Sequence, residues 1–176
     1  MPTIISHPAI LMAAYPAFRK YQFSSTTWIA AAICSIVPDF DVIGFQFGIR
    51  YGDLLGHRGL THSIFFAFLL SAIVAFAIHQ KQKLATFVLL FGCTLSHGIL
   101  DAFTDGGLGI AFFSPFSNTR YFFPWRPLQV SPIGISGFLS GPALSVLMSE
   151  IKFMWIPCVV IFLLGRGLDG RIQNNS

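Results

Sequence analysis

An all-α, polytopic membrane helical bundle is the fold class this sequence predicts, and three observations predict it. Hydrophobic residues make up 54% of the 176-residue chain and charged residues 10%, where soluble domains carry roughly 25% charged residues. The apolar residues fall in runs of helical length separated by short polar breaks. The ionisable residues within or beside those runs are mainly histidines and aspartates, which are costly at membrane depth and functional where they occur. The expectation is one domain over residues 1–176, with about four to five apolar helices, a half-length first helix and a long aromatic loop.

Ile4 to Phe18 is apolar except for Ser6 and His7, and Pro8 suits a first turn, where its missing N–H is no loss. It stops at Arg19-Lys20. A helix of about a dozen residues rises roughly 18 Å, short of a bilayer core of about 30 Å. Thr26 to Val37 is the second run, with Ser24 or Ser25 as N-cap and Pro38, Asp39 and Asp41 at its end. Gly44, Gly48, Gly52 and Gly56 then recur every fourth residue, but Arg50 and Asp53 interrupt them, which favours a loop or short re-entrant helix over a helix-contact face.

Thr61 to Ile78, capped by Thr61, reads as a crossing helix of roughly 18 residues. After Lys81 and Lys83, Leu84 to Phe103 returns with His97 and Asp101. Asp105 to Gly134 is a long connection whose Tyr121, Phe122, Phe123 and Trp125 suit the headgroup layer. Gly137 to Met148 is expected as a short helix bent near Pro142, and Ile151 to Leu164 as the last span, tolerating Pro157. Arg166 and Arg171 close the chain in a polar tail. His79, beside Lys81, reads as an interface residue. Cys34, Cys93 and Cys158 lie apart inside apolar runs and read as small packing residues. No cleaved leader is expected, since Arg19 and Lys20 follow the first apolar run instead of preceding it. The basic residues are scattered, which argues against direct nucleic-acid binding.

Following chain direction from run to run places His7, Asp39, Asp41, His57, His62, His97 and Asp101 at one end of the bundle. Each piece alone has a plainer reading: a helix-ending turn for Asp39 and Asp41, a buried hydrogen-bonded pair for His97 and Asp101, interfacial residues for His57 and His62. Together they are nitrogen and oxygen ligands for a divalent metal, most simply zinc, with manganese as the alternative and one to three ions in all. His97 and Asp101 are four apart and share a helix face. Asp39 and Asp41 point the same way if the segment is extended. Arg58 and Asp39 are the candidates for direct roles in catalysis, Arg58 by clamping a phosphate. Arg120 and Arg126 are weaker candidates for that work, Asp105 is a possible supporting group, and Glu150 is expected at the N-terminus of the last helix.

The series Pro38-Asp39-Phe40-Asp41, His57-Arg58-Gly59-Leu60-Thr61-His62-Ser63 and Ser96-His97-Gly98-Ile99-Leu100-Asp101-Ala102-Phe103-Thr104 resembles the YdjM-like family of bacterial and archaeal inner-membrane proteins. That family is described as membrane-bound metal-dependent hydrolases and also as LexA-binding. The resemblance runs through nearly the whole chain, including Pro124-Trp125 and Val130 to Gly134. The family is in turn distantly similar to zinc-dependent phospholipases C and nucleases, whose His and Asp side chains hold zinc and which cleave phosphoesters. The resemblance thus implies ligand roles for His57, His62, His97, Asp101, Asp39 and His7.

The expected function is a multi-pass membrane hydrolase that cleaves a phosphoester of a lipid or other amphiphile by metal-activated water. The alternative is a non-catalytic inner-membrane protein that binds a regulator such as LexA. A transporter is disfavoured because the ionisable groups gather at one end. Arg19, Lys20, Lys81, Lys83, Arg166 and Arg171 mark the other end, which the positive-inside rule makes cytoplasmic, leaving the site facing outward.

Overall fold

The computed structural model describes residues 1–78, 81–134, 137–138, 141 and 143–173, with 168–173 by backbone alone. Among these the architecture is all-α, and pairing between extended segments is confined to isolated bridges joining Thr104 to Leu128 and Ile110 to Tyr121. The helices are α1 (Ile10–Phe18), α2 (Ser25–Cys34), α3 (Ile64–Ala77), α4 (Lys83–Ala102), α5 (Ala143–Glu150) and α6 (Ile156–Gln173). Pro8 lies in a 3-10 turn, His7–Ala9, that leads into α1. Ser24 caps α2, its hydroxyl accepting from the Thr27 amide.

Four sequence expectations change. Asp39 and Asp41 do not lie in an extended segment: Val37–Phe47 is a 3-10 helix, bent 44° from α2. Pro38 fits its first turn, so helical backbone resumes after the break instead of ending. The cap of α3 is Ser63, whose Oγ accepts from the Phe66 amide at 3.0 Å, while Thr61 lies in a separate 3-10 turn, Leu60–His62. The helix therefore has 14 residues and rises about 21 Å, too short to cross upright. Glu150 lies inside a continuous helical run, because a π turn over Ile151–Trp155 joins α5 to α6. The expected polar tail continues as helix to Gln173. His79 and the bend near Pro142 lie outside the described residues.

Two helices are long and apolar enough to cross a membrane, Lys83–Ala102 with 20 residues and Ala143–Gly167 with 25, and α2 with the bent 3-10 helix makes a third if they count as one span. Their surfaces fit lipid. Phe65, Phe68, Leu69, Ile73 and Phe76 on α3, and Val160, Ile161, Leu163 and Leu164 on α6, face outward. The interior holds His7, Asp39, Arg58, His97, Asp101 and Glu150 beside a core of Ala31, Cys34, Leu89, Leu90 and Cys93. A soluble protein of this composition would not bury those charges while exposing those rings. In lipid the arrangement is the expected one.

α3 and α4 pack antiparallel, which places Ser63 beside the C-terminal half of α4 and so brings the His57–Ser63 loop over His97 and Asp101. The 103–134 connection closes the site from the other side. The Asp105 amide donates to Leu128 O, the Ala111 amide to Arg58 O, and Phe103 stacks on Phe123 at 4.4 Å.

Candidate metal centre

Four side chains from three elements meet in the interior: Asp39 from the 3-10 helix, His62 from the turn before α3, and His97 and Asp101 from α4. His7, from the turn before α1, stacks its ring on His97 at 3.7 Å. All five are buried. The contacts between their donor atoms run from 3.1 Å, His62 Nε2 to His97 Nε2, to 4.0 Å, His7 Nε2 to Asp39 Oδ2. Between these fall His97 to Asp39 at 3.2 Å, His62 to Asp101 at 3.5 Å, His62 to Asp39 at 3.7 Å and His7 to Asp101 at 3.8 Å. Ligand bonds of 2.0–2.1 Å around a tetrahedral zinc imply ligand-to-ligand spacings of roughly 3.3–3.4 Å.

Tautomers sharpen the fit. His97 Nδ1 lies 2.7 Å from Ser35 O, which only accepts, so Nδ1 carries a proton and Nε2 is left to face Asp39 Oδ1 at 3.2 Å and His62 Nε2 at 3.1 Å. His62 Nδ1 lies 3.2 Å from Asp41 Oδ2 and 3.0 Å from Thr61 Oγ1. Its Nε2 is thereby left to face His97 Nε2. Two lone pairs 3.1 Å apart repel unless a cation or proton sits between them. Both ring nitrogens of His7, both carboxylate oxygens of Asp101 and Asp39 Oδ2 are buried without a hydrogen-bond partner. Such groups are rare in folded proteins and require an explanation.

Charge gives the same answer. The Asp39, Asp41 and Asp101 side chains are at most 1% exposed, and the buried cation among them is Arg58. Once His62 gives up its proton, the three carboxylates exceed Arg58 by two negative charges, which suits a divalent ion. Burial, with repulsion from His97, drives His7 down to about 3, so it is a neutral donor. Burial also lowers His62, but Asp101, Asp39 and Asp41 pull harder and hold it well above its ordinary value. A proton on His62 thus stands where a metal would bind. The Met1 amine lies within electrostatic reach of Asp101 and Asp39, and burial lowers it to about 6 despite their pull.

Asp41 does different work from Asp39. On a 3-10 helix, residues two apart diverge by about two thirds of a turn, so Asp41 faces the His57–Ser63 loop. It accepts from His57 Nδ1 at 2.7 Å, the Arg58 amide at 3.2 Å and Thr61 Oγ1 at 2.7 Å, and its Oδ2 lies 3.2 Å from His62 Nδ1. The motif is wrapped around this one carboxylate, which orients His62 in the way that supporting groups orient histidines in metal sites. His57, lowered by burial against the pull of Asp41, faces Asp41 and not the central group. Asp41, His57 and His62 form a second, overlapping set of metal-ligand types. Arg58 holds a positive φ of 64° at the loop's tightest point. Gly59 follows because a Cβ there would lie 2.4 Å from Leu54 O.

The guanidinium of Arg58 is turned into the buried interior. Nε lies 3.2 Å from Asp101 Oδ2, Nη1 donates to Gly106 O at 2.7 Å and Nη2 to Thr104 Oγ1 at 2.8 Å. It is directed at Asp101 instead of at open space. Arg120 bonds the carbonyls of His57 and Tyr51 and fastens the loop from outside. The Arg126 guanidinium lies over the Phe122 ring. Asp105 is exposed and accepts from the Val130 amide, away from the cluster. Sequence reasoning missed Ser35 O and Thr104, a backbone group and a plain hydroxyl that no motif flags. Thr61, one residue before His62, was legible as a neighbour but not as the partner of Asp41.

Gly98 sits where α4 passes the loop, and a Cβ there would lie 2.8 Å from His62 O. Gly98→Ala is expected to push His62 out of the cluster and, if the cluster takes up a divalent metal, to weaken that uptake about tenfold, as outer-shell changes do, measured by competition titration. Glu150 lies outside the cluster and fixes the segment before His7. It accepts from the Thr3 amide, Thr3 Oγ1 at 2.7 Å and Ser6 Oγ at 2.6 Å, while Trp155 Nε1 donates to Ser6 Oγ at 2.9 Å. Glu150→Ala leaves those donors unpaired and is expected to cost on the order of 3 kcal/mol in unfolding. Glu150→Gln, which keeps an acceptor, recovers part of it.

The model of one protein family, YdjM inner membrane protein, matches residues 1–171. The chain is 32% identical over 164 residues to the inner membrane protein YbcI of Escherichia coli (strain K12), covering 92% of this chain and 95% of that one. No solved structure matches. A match over nearly the full length, carried by a helical chain with membrane-spanning runs, places this protein in the YdjM family of inner membrane proteins.

Proposed function

We propose that this protein is a membrane-bound, metal-dependent hydrolase of the inner membrane that cleaves a phosphoester of a lipid or other amphiphile. The observation that carries this reading is the buried set of unpartnered donor atoms on His7, Asp39 and Asp101, facing the Nε2 atoms of His62 and His97. His62, His97, Asp39 and Asp101 would hold a divalent ion, zinc or manganese, with His7 as a further ligand. Such an ion supplies Lewis acidity, lowering the pKa of water toward neutrality and offsetting charge on a phosphoryl group.

The chain's own residues do the rest. Ser35 O and Asp41 fix the tautomers of His97 and His62, so both present lone pairs inward. Arg58 pairs with Asp101 and holds it in place, a role that leaves it turned away from a substrate phosphate. The burial of the whole set keeps bulk water out and strengthens every charge interaction inside. Asp39 Oδ2, free of hydrogen bonds, is the group best placed to hold a proton from an attacking water.

The test is release of the phosphorylated headgroup from mixed phospholipid vesicles by purified protein supplied with zinc or manganese. Metal-dependent release that Asp39→Asn lowers at least about a hundredfold supports the reading. Metal-loaded protein that releases nothing, or whose release is unchanged in Asp39→Asn, overturns it.

A further inference from the structure

The end of the bundle opposite the metal centre carries a second candidate site. A cavity of about 680 Å³ lies between the end of α1 and the start of α4, with apolar walls that include Phe18, Leu84 and Val88 beneath a rim of Lys81 and Lys83. A smaller cavity, about 260 Å³, shares Phe18 and Val88 and continues along the same seam to Gly92 and Ser96. The two make one groove, cationic at its surface end and apolar below.

The rim is more basic than its two lysines. Lys20 Nζ lies 5.1 Å from the ring of Tyr21, which is itself part of the cavity wall. Lys83 is committed elsewhere: its Nζ donates to the carbonyls of Ala75, Phe76 and Ile78 and so closes the end of α3. Lys81 is exposed. No Asp or Glu occurs in residues 1–38 or 54–100, which supply every wall of the groove, so those segments offer no counter-charge.

We propose that this groove binds one anionic phospholipid, its phosphate held by Lys81 and Lys20 and an acyl chain lying along the seam toward Gly92. Basic pockets between membrane helices suit acidic headgroups, and a surface lysine contributes about 1 kcal/mol to that attraction, a factor of about five in affinity. The apolar walls suit the chain of any phospholipid, and the lysines select the acidic ones. The headgroup end of the site is separate from the metal centre, and its occupancy does not depend on hydrolysis.

The test uses the full chain purified in an uncharged detergent and titrated with phosphatidylglycerol or phosphatidylcholine, with retained lipid counted by native mass spectrometry. One phosphatidylglycerol is expected to be retained at concentrations where phosphatidylcholine is not. Lys20→Gln and Lys81→Gln are each expected to weaken phosphatidylglycerol retention about fivefold and to leave phosphatidylcholine unchanged. Gly92→Leu fills the groove, since nothing lies within 4 Å of a Cβ at that position, and is expected to reduce retention of both lipids with the melting temperature unaltered. Equal retention of the two lipids by the unaltered protein overturns the proposal, as does indifference to both lysine substitutions. So does a dimer that Gly92→Leu dissociates, which would make a second copy the occupant.

Discussion

Asp101→Asn is expected to lower stability by about 3–5 kcal/mol and to abolish metal retention, although it changes a single oxygen. Asp101 lies 3.2 Å from the Arg58 guanidinium, and both side chains are fully buried. Removing the carboxylate charge leaves Arg58 without its counter-ion in a low-dielectric interior, the case in which breaking a buried pair costs most. The companion experiment separates the two losses. Replacing the pair together, Arg58→Met with Asp101→Leu, removes both charges, and most of the stability is expected to return while metal binding does not. Denaturant midpoints and metal analysis of the same preparations check both arms.

Asp41→Ala carries the second large effect, because one carboxylate accepts from His57, Thr61 and the Arg58 amide and pairs with His62 Nδ1 at 3.2 Å. Its removal strands several donors in a buried loop, each worth about 1–3 kcal/mol when left unpaired. A total loss of about 4 kcal/mol is expected once some donors find water. Metal affinity is expected to fall about 10–100-fold, since His62 loses the group that fixes its tautomer. Asp41→Asn keeps one accepting oxygen and is expected to lie between Ala and the unaltered protein on both measurements. Under the alternative, in which Asp41 and His57 hold an ion of their own, Asn would be as damaging to metal content as Ala.

Much of the scaffold was legible because hydrophobic runs and their breaks carry it. The spacing of Lys81 and Lys83 from the two flanking runs forces α3 and α4 antiparallel, and that alone brings His62 to the level of His97 and Asp101. What the sequence hid was local backbone geometry. An extended Asp39-Phe40-Asp41 would point both carboxylates one way, whereas the 3-10 helix divides them between the centre and the loop. Arg58 looked free for a substrate because its partners, Thr104 and Gly106, lie more than forty residues away. Glu150 looked like a helix start because the continuity of α5 through the π turn into α6 is a tertiary outcome, fixed by its contacts to Thr3 and Ser6.

The proposed hydrolase depends on His62, His97, Asp39 and Asp101 holding a divalent cation together. Elemental analysis of the protein, purified in detergent without chelator and dialysed against zinc or manganese, tests it most directly beside His62→Ala and His97→Ala. At least about one ion per chain is expected in the unaltered protein, and none retained by either variant. An unaltered protein that carries no more metal than the two variants would contradict it.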